Sequence, residues 1–379
     1  MGEPMRIAYL ATSPIPSLRA NALQVMKVCD NLTGLGHEVR LWVPGRRPAV
    51  SPLDLKRQFG VEHAFAIEWL PALPALRHYD FCASAVLAAR RWQADLLYVR
   101  PLQAAALASQ LGWPTLLDLH DRPHGRLGPR LLRAFVHGRG ARRLVMTTHA
   151  LQRWLAEQQR LRLEPPFAIV APNGADLQRY AGLPKPAEAR RQLGWAESFT
   201  ASYTGQLYQG RGLDLLVELA RRRPEIQFVW AGGDPASVDA WRAALAALGV
   251  ENTRLLGYVA NLDLPLVHAA SEMLLMPYER NVYLRQGDLS TFYSPMKLFE
   301  YLAAGRVILS SDLPPLREVL GEHNAVLLPP EDASAWDAAL ADVLSHVSKY
   351  EGVAARAQAD SLQYSWEARC RRALDGLAP

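Results

Sequence analysis

The chain has few cysteines, no long apolar run and only a modest excess of one charge. Its three cysteines, Cys29, Cys82 and Cys370, are odd in number and far apart, which argues against a disulfide framework and against a cysteine-based metal site. No apolar stretch is long enough to span a bilayer, and the run at 7–11 is too short for the core of a signal peptide. We therefore expect a cytoplasmic protein, either soluble or associated peripherally with the inner face of a membrane.

Charge and length set two further bounds. A net charge of +5 on 379 residues fits an anionic small molecule or an acidic membrane surface, and it argues against a nucleic-acid partner. Half of the residues are hydrophobic, so we expect a globular and not a disordered chain. The length exceeds what one hydrophobic core usually holds, so we expect two domains.

The N-terminal half lacks a glycine-rich loop after its first predicted strand, at 7–11, where a phosphate-binding turn usually stands. A helix is predicted to open at Asn21, and alternation at 39–43 predicts the next strand. This order is typical of a doubly wound α/β sheet, which binds ligands at the carboxyl ends of its strands. Asn21 and Gln24 could contact substrate there; the alternative is a helix cap and a solvated helix residue.

The strongest motif begins at Ser294 and predicts a helix followed by a short buried strand. Ser294 is expected to cap the helix, with Pro295 as its first residue and Gly305 at its end. Lys297 and Glu300 are three residues apart and share a helix face. A helix N-terminus with a lysine favours phosphate, and the carboxylate one turn on can accept hydrogen bonds from vicinal hydroxyls. The pattern indicates a nucleoside diphosphate; the alternative is an ordinary amphipathic helix with a surface lysine and glutamate.

A second candidate anion site is the loop at 205–212, which follows a predicted strand and precedes a predicted helix. Its glycines would let the backbone approach a ligand closely, and the start of the helix favours an anion. Arg211 adds a fork of hydrogen-bond donors suited to phosphate oxygens. Together with the helix that begins at Ser294, this loop predicts a phosphate-binding site in the C-terminal half.

Titratable residues follow the predicted strand at 114–119, where His120, Asp121 and His124 stand close together. Such groups at the ligand edge of a sheet indicate a functional site. We expect no metal there, because adjacent histidine and aspartate side chains diverge and no third ligand is evident. For His124 a solvated loop position is the favoured interpretation.

Arginines recur between Arg126 and Arg143 and alternate with apolar residues. A basic amphipathic helix of this kind can lie on an anionic membrane surface. An ordinary surface helix with solvated arginines accounts for the pattern equally well. The sequence leaves both interpretations open.

The segment SPMKLFEYLAAG, which starts at Ser294, resembles the donor-site helix of the retaining glycosyltransferases of family 4. Glu300 then matches the family's second glutamate, which holds the donor ribose. The family's first glutamate would stand eight residues earlier, where this chain has Phe292. The loop at 205–212 resembles the family's phosphate loop, with Arg211 where the family has a lysine and Gln206 where it has an arginine.

The resemblance also implies roles for the remaining site residues. His120 would face the donor sugar, and Asp121 would be a weaker candidate for a sugar or acceptor contact. On its chemistry, Asp288 in the preceding polar loop could substitute for the missing glutamate, although its spacing to Glu300 departs from the family pattern. The alternatives are that Asp288 is a solvated loop residue and that backbone N–H groups at the start of the helix hold the sugar. The expected catalytic residues are His120, Arg211 and Lys297. The expected donor-binding residues are Gly205, Gln206, Tyr258, Val259, Ser294, Pro295, Met296, Lys297, Leu298 and Glu300.

The fold implied is GT-B, in which two Rossmann-like doubly wound domains face each other across the active site. We expect an N-terminal domain at 1–180, a linker at 181–198, a nucleotide-sugar-binding domain at 199–360 and a helix at 361–379 that returns to the first domain. The reaction implied is transfer of a sugar, with retention, from a nucleoside-diphosphate sugar to the hydroxyl of a glycan, a lipid-linked acceptor or a small molecule. No metal or other cofactor is expected. The alternatives are a nucleotide-sugar epimerase and a non-catalytic nucleotide-sugar-binding protein.

Overall fold

The computed structural model describes residues 3–280, 283–284, 287–288 and 292–377, with the backbone alone at 283–284 and 287–288. By its internal contacts the chain divides into two units. The first unit is Met1–Asn173 together with Trp366–Pro379, and the second is Gly174–Ser365. The C-terminal segment therefore belongs to the same unit as the N-terminal half.

The first unit is built on a parallel sheet of seven strands. In chain order these are β1 (Arg6–Leu10), β2 (Glu38–Pro44), β3 (Ala66–Leu70), β4 (Leu96–Val99), β5 (Thr115–Leu119), β6 (Ala141–Met146) and β7 (Ala168–Val170). Their spatial order is β3-β2-β1-β4-β5-β6-β7. Strands β4 and β5 are buried along their whole length, as expected for a parallel sheet that is covered on both faces.

Helices connect these strands. In the first unit they are α1 (Ala20–Gly34), α2 (Pro52–Phe59), α3 (Tyr79–Arg91), α4 (Leu102–Gln110), α5 (Gly128–Val136), α6 (His149–Gln159) and, from the C-terminal segment, a last helix at Trp366–Leu374; a short 3-10 helix lies at Pro74–Leu76. The first helix starts at Ala20, so Asn21 lies inside its first turn and does not cap it, contrary to the sequence prediction.

The second unit repeats this architecture with a parallel sheet of six strands and one small antiparallel hairpin. The strands are β8 (Thr200–Thr204), β9 (Gln227–Ala231), β10 (Thr253–Gly257), β11 (Met273–Met276), β12 (Tyr283–Leu284), β13 (Gly287–Asp288), β14 (Val307–Ser311) and β15 (Val326–Leu328). The large sheet has the spatial order β10-β9-β8-β11-β14-β15, and β12 pairs with β13.

The helices of the second unit are α7 (Leu177–Tyr180), α8 (Pro186–Leu193), α9 (Leu213–Arg222), α10 (Pro235–Ala247), α11 (Leu264–Ala269), α12 (Met296–Ala304), α13 (Ala333–Ser345) and α14 (Glu351–Ser361), with a 3-10 helix at Val347–Tyr350. The last helix of the chain, Trp366–Leu374, is thus α15. Within the segment at 181–198, helix α8 packs its Ala189 against Ala269 and Ala270. None of the described helices is both long and apolar enough to cross a membrane.

Both large sheets have the strand order of a doubly wound Rossmann-like fold, which is the fold class predicted from the sequence. In each sheet the strand order reverses beside the first strand, between β1 and β4 in one unit and between β8 and β11 in the other. Ligands of open α/β sheets bind outside the carboxyl ends of the strands at such a point. The residues that follow β1, β4, β8 and β11 are therefore the first places to look for a site.

One helix start differs from the prediction. Pro295, and not Ser294, is the N-cap residue of α12, and the helix itself begins at Met296. The ring of Pro295 restricts its φ, which is −72°, and its ψ of 131° makes the residue extended and not helical. Gly305 ends the helix in the left-handed conformation at a φ of 59°, as predicted.

Candidate active site

In the second unit, Lys297 reaches from the first turn of α12 to the carboxyl end of β8. The residue is 8% exposed, and its ammonium lies 3.7 Å from the centre of the Tyr203 ring. Gly205 follows β8 with a φ of +144°, and a Cβ there would stand only 2.6 Å from the Lys297 Nζ. A side chain at 205 would therefore displace the lysine. The ammonium itself has no hydrogen-bond partner among the described residues.

Arg211 places a second cation beside this lysine. Its guanidinium lies 4.7 Å from the ring centre of Tyr208, 5.0 Å from that of Tyr278 and 5.8 Å from that of Tyr293. The Lys297 ammonium also faces the Tyr278 ring, at 5.2 Å. Aromatic faces attract cations, so these tyrosines hold both charges without neutralising either of them.

The pKa of Lys297 shows that burial beside another cation disfavours its positive charge. Burial lowers the pKa of Lys297 well below its ordinary value, the positive charge of Arg211 lowers it further, and Glu300 acts in the opposite direction. A buried ammonium whose positive charge is disfavoured by burial and by a neighbouring guanidinium is a site for an anion, because a bound anion offsets both effects. The site lies at the reversal of strand order in its sheet.

The loop that contains Arg211 is held by the protein's own carboxylate. The Oε1 atom of Glu279 accepts hydrogen bonds from the backbone N–H of Gly210 at 3.2 Å and of Gly212 at 3.3 Å. Gly212 has a φ of +72°, and a Cβ there would overlap the carbonyl oxygen of Pro277. The sequence predicted that this backbone approaches a ligand. In the structure Gly212 instead approaches Pro277, and the two N–H groups are occupied by Glu279.

The other predicted donor-binding residues lie in or just before α12 or in the turn after β10, except Gln206, which follows β8. Glu300 is half-buried, and its Oε1 accepts a hydrogen bond from the Asn261 side chain at 3.3 Å. Tyr258 is exposed and Val259 is half-buried in the turn after β10. The Leu298 side chain lies in the core, and its N–H donates to the carbonyl of Pro295 at 3.1 Å. Gln206, Ser294, Pro295 and Met296 are also half-buried.

Two residues bear on the missing glutamate. Phe292 is buried, so its ring is a packing residue. Asp288 belongs to the two-residue strand β13, and its side chain lies outside the described part of the chain. Its predicted role as a substitute for the glutamate stays a prediction.

In the first unit, His120 stands just beyond the end of β5 and is bonded to a carboxylate in that strand. Its Nε2 lies 3.0 Å from Oδ1 of Asp118, and 21% of its side chain is exposed. Burial and the nearby Arg100 lower the pKa of His120 to about 4, although Asp118 acts in the opposite direction. The imidazole is therefore neutral at neutral pH.

Asp118 is the centre of a buried polar network. Its side chain is fully buried, and Arg369 from α15 donates to its Oδ1 at 2.7 Å. The Oδ2 atom faces the side-chain amide of Gln24 and the hydroxyl of Tyr98, each at 3.4 Å. Burial alone would raise the pKa of Asp118, but Arg369 and then His120 outweigh it, and the pKa lies below its ordinary value.

This network changes the interpretation of Gln24. The residue is buried, and its Oε1 accepts a hydrogen bond from Arg100 at 2.7 Å while its amide nitrogen faces Asp118. The solvated helix position that the sequence left open is therefore wrong. Asn21, in the same helix, is exposed.

The two residues that follow His120 in the predicted site form a separate pair. Nε2 of His124 lies 2.9 Å from Oδ2 of Asp121, and His124 is exposed. Among the described residues there is no group of three or more His, Cys, Asp or Glu side chains that could hold a metal ion. The structure thus places His124 in the solvent-exposed loop, as the sequence suggested.

The predicted basic segment is only partly a surface. Arg126, Arg130 and Arg133 are exposed around α5, whereas Arg143 is buried and donates to the carbonyl oxygens of Arg372 at 3.3 Å and Ala373 at 3.1 Å. Arg143 therefore caps α15 and does not belong to a basic face. Arg143 is buried because it lies in strand β6 and not on the surface helix α5.

Sequence reasoning missed Asp118, Arg369 and Glu279. For Asp118 a signal was available, because a charged residue inside an otherwise apolar strand needs a buried partner. Arg369 and Glu279 carry no local signal, since each meets its partner far along the chain, Arg369 at a separation of 251 residues. The structure brings together Gly205, Arg211 and Lys297 in one unit and Gln24 and His120 in the other.

Comparison with protein families gives two matches. A model described as "Glycosyl transferases group 1" matches residues 198–346, and a model described as "Glycosyltransferase Family 4" matches residues 22–179. The first match contains Arg211, Lys297 and Glu300, and the second contains Gln24 and His120.

Two curated proteins are similar to parts of the chain. The putative teichuronic acid biosynthesis glycosyltransferase TuaH of Bacillus subtilis is 26% identical over 142 residues, which are 38% of this chain and 34% of that protein. The D-inositol 3-phosphate glycosyltransferase of Kineococcus radiotolerans is 25% identical over 258 residues, which are 62% of this chain and 56% of that protein. The matches span about a third and just over half of these relatives' lengths.

Among solved structures, the crystal structure of Anabaena HepE in complex with UDP-glucose superimposes with a TM-score of 0.75. The two sequences are 19% identical, and the superposition covers 98% of this chain and 99% of that one. At this identity the likeness speaks for the fold alone. Together with the two parallel sheets and the family matches, it confirms the predicted GT-B class of two Rossmann-like domains.

Proposed function

Because the chain belongs to the group 1 glycosyltransferases, with a family 4 N-terminal region, we propose that it transfers a sugar from a nucleoside-diphosphate sugar to an acceptor hydroxyl with retention at the anomeric carbon. A UDP-sugar is the donor to test first, since HepE binds UDP-glucose. A glycan or a lipid-linked molecule is the proposed acceptor. The protein acts in the cytoplasm, and a contact with the inner face of a membrane would bring it to a lipid-linked acceptor.

One observation carries the proposal. Lys297 and Arg211 are adjacent cations held against tyrosine rings at the reversal of strand order, and the lysine ammonium has no hydrogen-bond partner among the described residues. The diphosphate of a nucleoside diphosphate would supply the negative counter-charge for both cations. Glu300, one turn along α12, then accepts hydrogen bonds from the ribose hydroxyls.

The chemistry assigned to these cations is stabilisation of a leaving group. As the bond between the anomeric carbon and the phosphate oxygen breaks, the diphosphate takes the electron pair and gains negative charge. The acceptor oxygen attacks from the same face and passes its proton to the leaving phosphate oxygen. Lys297 and Arg211 supply positive charge at the diphosphate, and we propose no metal ion for this step.

Replacing Lys297 by methionine tests the phosphate role. The Lys297→Met protein should bind UDP about 10- to 100-fold more weakly, because one charged hydrogen bond is lost. Its affinity for uridine should be unchanged. Without ligand the variant should be more stable than the wild type, because a buried and unpartnered ammonium is removed. Calorimetric titration measures the affinities for UDP and uridine, and thermal unfolding measures the stability without ligand.

Lys349→Met is the matched control, since the Lys349 ammonium lies 2.7 Å from Asp342 and is exposed. It should leave UDP affinity unchanged. An equal loss of affinity for UDP and uridine in Lys297→Met would contradict the phosphate role. A wild-type protein that binds UDP but transfers no sugar to any acceptor, and does not hydrolyse the donor, would contradict the transferase function.

A further inference from the structure

The carboxylate of Asp118 accepts hydrogen bonds and donates none. It is fully buried against the guanidinium of Arg369, which lies 2.7 Å away and is itself buried. Arg369 is held in turn by the carbonyl oxygens of Ala171 and Pro172, the latter at 3.0 Å. A buried arginine that keeps such a short contact keeps its partner ionised, and an ionised carboxylate is an acceptor only.

This fixes the proton of His120. Its Nε2 lies 3.0 Å from Oδ1 of Asp118, so Nε2 must carry the hydrogen of that bond. A neutral imidazole has one N–H, and Nδ1 is then an acceptor. Nδ1 has no hydrogen-bond partner among the described residues, and 21% of the side chain is open to solvent.

The carboxylate is also prevented from turning away. Its second oxygen faces the amide of Gln24 and the hydroxyl of Tyr98, and Arg100 holds Gln24 from the other side at 2.7 Å. Tyr98 lies in β4 and Gln24 in α1, so two further elements brace one side chain of β5. The Asp118 carboxylate is therefore held in one orientation, and the His120 ring that is hydrogen-bonded to it is positioned as well.

We propose that Asp118 is a positioning residue that holds His120 in the tautomer with its proton on Nε2, so that Nδ1 accepts a hydrogen bond from a substrate hydroxyl. Arg369 keeps Asp118 ionised, and Gln24 acts through Asp118 and does not contact the substrate. The tautomer follows from contacts within one unit. Only the contact with a hydroxyl rests on the proposed function, since it needs a sugar as ligand.

Nitrogen NMR of the histidine-labelled wild-type protein tests the tautomer directly, with the His120 signal assigned through His120→Gln. We expect a protonated Nε2 and an unprotonated Nδ1 near neutral pH. A protonated Nδ1 would overturn the proposal. Because this measurement needs no change at Asp118, it determines the tautomer of His120 even if variants at Asp118 do not fold.

Asp118→Asn is the kinetic test. The amide can turn its NH₂ group towards His120 and reverse the tautomer, as asparagine does in the serine-protease triad. We expect the His120 tautomer to shift and kcat/KM for sugar transfer to fall by about 10- to 100-fold, the cost of one hydrogen bond with its partner left unsatisfied. UDP affinity should not change, which separates this variant from Lys297→Met.

The matched control is Asp342→Asn, which alters a surface pair whose His346 Nδ1 lies 2.9 Å from the carboxylate. It should change neither the His120 signals nor kcat/KM. Full activity of Asp118→Asn with an unchanged His120 tautomer would refute the positioning role. If the wild type shows the expected tautomer but turns over no nucleotide sugar, the proposed function fails while the assignment of Asp118 stands.

Discussion

At the scale of single residues, glycines divide into those that the fold requires and those that only shape a turn. Gly212 and Gly249 both have a left-handed φ, +72° and +65° respectively. A Cβ at Gly212 would overlap the carbonyl of Pro277, whereas nothing lies within 4 Å of a Cβ at Gly249. The two positions therefore separate backbone strain from steric overlap.

Gly249→Ala should lower the free energy of unfolding by about 1–2 kcal/mol, the cost of a left-handed alanine. Gly212→Ala should lower it by at least about 3 kcal/mol, because overlap with Pro277 adds to the same strain. Urea unfolding of both variants measures the difference. Equal effects would mean that the loop before α9 moves away from Pro277 at little cost. The contact between Gly212 and Pro277 would then not hold Arg211 in place.

At the scale of elements, α5 combines a buried apolar face with exposed arginines. It buries Leu132 and Phe135 and exposes Arg130 and Arg133, while Leu127 just before it is exposed. Arg143 is buried and does not belong to this basic face, whereas Arg130 and Arg133 remain exposed on it. The membrane contact suggested by the sequence thus becomes a question about one helix.

If α5 lies on an anionic membrane, Arg130→Gln with Arg133→Gln should weaken binding to phosphatidylglycerol vesicles by roughly 30-fold, at about 1 kcal/mol for each charge. Vesicle sedimentation measures this. The control is Arg221→Gln with Arg222→Gln, two exposed arginines of α9 in the other unit. Equal binding of the two double variants would assign the arginines of α5 to an ordinary solvated surface.

At the scale of the whole molecule, the buried residue His268 contributes to how stability depends on pH. His268 is fully buried between the Tyr180 hydroxyl at 3.1 Å and the Thr204 hydroxyl at 3.3 Å. Burial, Lys297 and Arg306 lower the pKa of His268 from 6.5 to about 3. Below pH 6.5 the unfolded chain takes up a proton that the folded protein refuses, so stability is lost as the pH falls from 6.5 towards 3.

The contribution of His268 should be about 2 kcal/mol of lost stability between pH 6.5 and pH 5. His268→Gln should flatten the fall in unfolding free energy by that amount, as measured by urea unfolding at pH 7 and pH 5. His137→Gln, at an exposed histidine, should leave the slope unchanged. A His268→Gln protein with the wild-type slope would show that His268 takes up its proton at the same pH in the folded and the unfolded protein, which would contradict the lowered pKa.

The sequence by itself determined the local structure and the order of its parts. The loop at 205–212 is preceded by a strand that ends at Thr204 and followed by a helix that starts at Leu213, as predicted, and the end of α12 at Gly305 is also as predicted. Apolar runs, glycine and proline act within a few residues, so they can be read without the fold. The family motif around Lys297 and Glu300 likewise lies within one helix, which is why it pointed to a nucleotide-sugar site.

Only the tertiary structure decided which charges meet. It set Arg211 against tyrosines, gave the N–H groups of its loop to Glu279, buried Gln24 and brought Arg369 to Asp118. These contacts join residues far apart in the chain, and a charged side chain looks the same in sequence whether it is solvated or buried. Its partner and its burial are properties of the packed fold, because burial makes an unpaired charge costly and so forces the pairing.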